Sequence, residues 1–135
     1  MIVARSHEMN GMPAPGIAAI LFCGVAFAHH GTNASYDLEK TVTMKATVTE
    51  FVWINPHCQL YFDVKDDKGK LVHWGGETNS PGVLARSGWS KTILKPGDEI
   101  TITVHPSRAG TPFGVIQRIQ LGSGTVLERG AGAGQ

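Results

Sequence analysis

An all-β domain with one short helix, its five strands closing into a Greek-key barrel, is the fold class this 135-residue sequence predicts. Three observations carry that expectation. Apolar and polar residues alternate with period two in much of residues 41–121, the mark of half-buried strands. Helical punctuation occurs once, from Ser80-Pro81 to Gly88. The first alternating run is long and changes parity in its middle, as a bent strand serving both halves of a barrel would.

In that run Val42, Met44, Ala46 and Val48 alternate with threonines and Lys45. Glu50 then falls where an apolar residue is due, and Phe51 to Ile54 are apolar on both parities. One extra residue near Thr49-Glu50, a β-bulge, accounts for the slip. The bulge decides Trp53: with it Trp53 turns inward, and without it Trp53 shares an outer face with Tyr61.

Asn55-Pro56 ends the run. From His57 a second strand sets Cys58, Leu60, Phe62 and Val64 on one face and Gln59, Tyr61 and Asp63 on the other. Asp66-Asp67-Lys68-Gly69 is a hairpin turn with glycine free to adopt positive φ. Leu71 to Gly76 form the third strand, with Val72 and Trp74 on one side and Leu71 and His73 on the other. Ser80 is expected to cap a short helix, Pro81 fits its first position, and Gly88 stops it. After the turn Lys95-Pro96-Gly97-Asp98, Ile100, Ile102 and Val104 mark a fourth strand, and Val115, Ile119 and Leu121 a fifth. Residues 122–135 are glycine-rich and read as a flexible tail. Strand, strand, strand, helix, strand, strand is the element order of an oligonucleotide/oligosaccharide-binding (OB) barrel. A small β-sandwich with an inserted helix is the alternative.

Ahead of the domain, the apolar run Ile17 to Ala28 is too short to cross a bilayer, which takes about 20 apolar residues. It ends in Ala26-Phe27-Ala28, the small-x-small pattern of a cleavage site. Residues 1–28 therefore read as a signal peptide and residues 29–40 as an N-terminal arm. The expected location is periplasmic or secreted, with no stable membrane anchor after cleavage. Net charge is +1, which argues against nucleic acid as a partner. Cys23 leaves with the leader, so Cys58 stands alone, and its strand position predicts burial.

Cleavage after Ala28 makes His29 the first residue, with His30 beside it. An α-amine and Nδ1 of the same histidine form one chelate, and His57 is the natural third nitrogen donor. Imidazole and planar nitrogen sets suit copper. Copper is thus the cofactor considered, held by His29 and His57 with His30 as auxiliary. The plain rival is a solvated terminus and a turn histidine. A blue-copper site does not fit, because Cys58 and Met44 both read as inward while adjacent His57 points outward.

Trp74 and Trp89 read as core anchors. Tyr61, with Trp53 if no bulge precedes it, is the candidate aromatic binding face. Glu77, after Gly75-Gly76 at a strand end, is a candidate ligand contact, since glycines there let another group approach the backbone. His73 and His105 read as surface residues. No nucleophile motif, phosphate loop or carboxylate pair points to catalysis, so no catalytic residue is assigned.

Ala28-His29-His30, Trp53-Ile54-Asn55-Pro56-His57, Trp74 followed by Glu77 and Pro81, Leu84 with Gly88-Trp89, and Leu94-Lys95-Pro96-Gly97-Asp98 together resemble domain-of-unknown-function family 6152. The resemblance covers roughly residues 28–121 and implies an exported β-rich domain without an established activity. Members typically carry an apolar or aromatic residue after Asn-Pro-His, where this chain has Cys58. The functional expectation is an exported periplasmic binding protein that holds copper through His29 and His57. The alternative is a metal-free adaptor docking on an envelope protein or glycan through Trp53, Tyr61 and Glu77.

Overall fold

Strand 1 (β1, Val42–Val52) pairs with a different neighbour along each half of its length. Its first half pairs antiparallel with β4 (Glu99–Pro106), from Val42↔Val104 to Thr47↔Glu99. Its second half pairs with β2 (Gln59–Lys65), from Thr47↔Asp63 to Val52↔Gln59. Between the halves the register slips: Val48 faces Phe62 and Glu50 faces Tyr61, leaving Thr49 as the extra residue. This is the bulge the parity change predicts, and it bends β1.

The computed structural model describes residues 35–130. The expected signal peptide, His29 and His30 lie outside the described residues. β3 (Leu71–Glu77) pairs with β2, and β5 (Phe113–Leu121) pairs with β4. A short parallel ladder, Gly75↔Phe113 to Glu77↔Val115, joins β3 to β5 and closes the five-stranded barrel. Helix α1 (Pro81–Arg86) connects β3 to β4.

Apart from Val42, which is exposed, and Ile116, which the fifth-strand pattern does not name, the buried strand residues follow the alternation. Val48, Cys58, Leu60, Phe62, Ile102, Val104, Ile116 and Ile119 are all buried in one cluster. Fully burying an aliphatic side chain contributes about 1.5–3 kcal/mol. Leu84 of α1 and Trp89 belong to the same cluster. The Trp89 indole N–H donates to the Glu128 carbonyl at 2.8 Å. Trp74 is half-buried and stacks on Phe62, with ring centroids 6.3 Å apart.

Four readings need correction. Residues 122–135 are not wholly a flexible tail: Val126–Glu128 form β6, which pairs with β5. The reason is Leu127, buried against the core, together with the Trp89 bond. The described part of the arm, residues 35–40, is seated on the barrel rather than a loose polar stretch, because Tyr36 bridges Ser107 and is buried. Ser80 holds the N-cap position of α1, yet its side chain makes no cap hydrogen bond. His105 is half-buried, and its Nδ1–H donates to the Lys40 carbonyl at 2.6 Å.

Candidate functional site

The outer face of β2 and β3 carries three cross-strand pairs: Gln59↔Glu77, Tyr61↔Gly75 and Asp63↔His73. Period two puts all six on the side away from the core. The β1–β2 connection, with the cis Asn55–Pro56 bond and His57, adjoins one end of this face. The β4–β5 connection, from Ser107 to Pro112, runs along its flank, and the Pro112 carbonyl accepts from Gly75 N–H at 3.0 Å. In OB barrels this face and these two loops are where ligands bind.

Aromatic rings build the face beyond β3. Phe113 of β5 lies against Gly75, with no Cβ between them. Tyr36 stacks on Phe113, with centroids 6.4 Å apart and planes inclined by 25°. Tyr36 comes from the arm, whose backbone is tied to the start of the β4–β5 connection. Asp37 N–H donates to the Pro106 carbonyl at 2.9 Å, and Arg108 N–H donates to the Ser35 carbonyl at 3.0 Å. The Glu77 carboxylate is near enough for its negative charge to act on the Tyr36 phenol. Burial of the phenol, and then the negative charge of Glu77, push the Tyr36 pKa up to about 12.

The predicted site residues separate into three groups. Tyr61 and Glu77 share the outer face, and the Tyr61 hydroxyl donates to Gln59 Oε1 at 2.6 Å. Trp53 does not join them. The bulge turns it towards the core, where it is half-buried and meets Phe51 edge-on at 5.8 Å. His57 is exposed at the corner two residues before Gln59. Its neighbour Cys58 is fully buried, and burial raises the thiol pKa. His73 is exposed and pairs with Asp63 through Nδ1. Among the described residues no group of three or more His, Cys, Asp or Glu side chains could hold a metal.

Tyr36 and Phe113 are the site residues that sequence reasoning missed. A lone aromatic in a polar arm was the available signal for Tyr36. Gly75-Gly76 did signal close approach, and both glycines are closely covered, Gly75 by Phe113 and Gly76 by Ile116. A groove of about 780 Å³ opens elsewhere, where β1 and β2 diverge beyond Thr47 and Asp63. Met44, Val64, Ile100 and Leu121 are among its lining residues. It includes none of the sequence-predicted site residues, so shape and candidate chemistry do not coincide.

The model of a family described as "Family of unknown function (DUF6152)" matches residues 18–117, well over half of the chain. No curated protein and no solved structure matches it.

Proposed function

This chain belongs to the DUF6152 family, and from that premise, which carries no activity, we propose that it is an exported periplasmic binding protein for copper. The ligands proposed are the α-amine and imidazole of His29, freed by cleavage after Ala28, and the imidazole of His57, with His30 as auxiliary. A free α-amine titrates near pH 8, so copper displaces a loosely held proton there. Three nitrogens of this kind suit Cu(II).

The observation that carries this reading is the seat of the arm. Tyr36 stacks on Phe113, which pairs with Gly75 two residues before Glu77; Glu77 sits opposite Gln59, and His57 lies two residues before Gln59. Opposite residues in an antiparallel ladder stand about 5 Å apart, and two residues of strand add about 7 Å. From Tyr36 back to His29 is seven residues, which extend to at most about 25 Å. The arm therefore starts within chain reach of the Asn55-Pro56-His57 corner.

The test is N-terminal sequencing of the exported protein, followed by Cu(II) titration of that protein and of a His57→Ala variant. The expected result is a chain beginning at His29 whose copper affinity falls when His57 is lost. Equal affinities would remove His57 from the site. A retained leader, or cleavage at another bond, would overturn the reading.

A second reading is favoured by the ring row Tyr61, Phe113 and Tyr36: a metal-free adaptor that docks this face on an envelope protein or glycan. With Trp53 turned inward, Tyr61→Ala is its sharper test. That variant should lose the partner in a pull-down while metal content stays nil.

A further inference from the structure

We propose that two copies of this chain pair edge to edge through the first half of β1, antiparallel about a two-fold axis at Thr43, with Lys45 of each copy beside Glu39 of the other. This pairing is independent of the copper reading.

The edge is open because β1 changes partners. Val48 N–H donates to the Asp98 carbonyl at 2.9 Å, and the Val48 carbonyl accepts from Gly97 N–H at 2.8 Å. Backbone groups alternate sides along a paired strand. Those of Val42, Met44 and Ala46 therefore also point to β4, and those of Thr43 and Lys45 point away from it. On that side β2 pairs with β1 only from Thr47 onwards, and among the described residues no other strand pairs there. Beyond Asp63, β2 leaves the edge, and Thr43 and Lys45 line the groove together with Val64 and Lys65. Unpaired N–H and C=O groups along a strand edge are a template for another strand. Thr41, Thr43 and Lys45 are exposed, and Val42 is 36 % exposed.

The sequence of this edge complements itself. Turned about Thr43, the strand sets Thr43 opposite Thr43, Val42 opposite Met44 and Thr41 opposite Lys45. Apolar side chains then meet apolar ones, which covers Val42. A self-complementary contact of this kind closes at two copies. Centring the pair one residue later would set Thr41 against Thr47, where β2 already pairs. Lysine on an edge ordinarily deters pairing. In this register no lysine faces a lysine, and diagonal neighbours about 7–8 Å apart are within reach of long side chains. Glu39 is exposed two residues before Thr41, so each Lys45 has an opposite charge on its diagonal.

The experiment uses protein purified from cells that express the full sequence. A strand pair this short makes a small interface, so sedimentation equilibrium should show monomer and dimer exchanging with a Kd of about 10–100 μM. Lys45→Glu and Glu39→Lys should each weaken the dimer about tenfold, and Glu39→Lys/Lys45→Glu together should recover wild-type affinity to within about threefold. Cross-linking fixes the register, in a Cys23→Ser background that leaves buried Cys58 as the other thiol. Thr43→Cys should give a disulfide-linked dimer on mild oxidation, because residues opposite each other at a hydrogen-bonded position stand about 5.5 Å apart between Cα atoms, within disulfide range. Lys45→Cys, far from its own copy, should not. All three positions are exposed, and thermal melting checks that each variant folds. A chain still monomeric well above that concentration, a dimer indifferent to the charge reversals, a double variant no tighter than the single ones, or a Lys45→Cys dimer formed as readily as that of Thr43→Cys overturns the proposal.

Discussion

Phe113 lies so close to Gly75 that a Cβ at residue 75 would stand 2.5 Å from its ring. The contact occurs where β3 meets β5 and the barrel closes. It also seats Tyr36, which stacks on the other side of the site. Closure and arm docking thus depend on the same missing side chain. Gly75→Ala should push the ring outward and destabilise the protein by about 1–3 kcal/mol, as overpacking does. Thermal unfolding measures the loss, and faster amide exchange at Arg108 would show that the arm loosens with it.

Trp89 ties the last strand to the barrel. Trp89→Phe keeps an apolar ring in the core but leaves the Glu128 carbonyl without the indole donor. A loss of about 1–2 kcal/mol is expected. Amide exchange in Val126–Glu128 should quicken more than exchange in β2. Leu127→Ala, at a side chain 4 % exposed, should cost about 2–4 kcal/mol in a urea titration. A flexible tail would show neither effect.

Cys58 should be unreactive while the protein is folded. Its side chain is fully buried and burial raises its thiol pKa, so both access and thiolate fraction are low. Labelling with a thiol reagent near neutral pH should proceed only as fast as the protein opens, and become rapid in denaturant. Rapid labelling of the native protein would contradict the inward placement of the second strand's apolar face.

Alkaline stability should report Tyr36. In the unfolded chain its phenol titrates near 10.0, and in the folded protein near about 12. Below the first value both states keep the proton and the contribution is intact. As pH rises from there towards the second value, the unfolded state loses its proton first, so stability falls. Tyr36→Phe has no such proton. Urea midpoints measured on either side of the unfolded pKa should drop further in the wild type than in the variant.

Much of the barrel was legible because strand alternation is a local property. Val42 to Val48, Cys58 to Val64 and Ile100 to Val104 each declare an inward face within a few residues. Even the bulge at Thr49 was readable, since one inserted residue reverses the parity of everything after it. The sixth strand was not, because its three residues carry no period and hold their place through Leu127 and Trp89. Tyr36 was hidden for the same reason: it is seated by Phe113 and Ser107, both far away in the chain.

Sequence by itself determined the strands, their inward faces, the short helix and the chemistry on offer at His57, Tyr61 and Glu77. Those follow from periods and residue types that neighbouring positions share. Tertiary structure alone decided which residues meet. It stacked Tyr36 of the arm on Phe113 and tied the last strand to the barrel through Trp89. Such meetings join positions tens of residues apart, and chain closure around a common core, rather than any local preference, selects them.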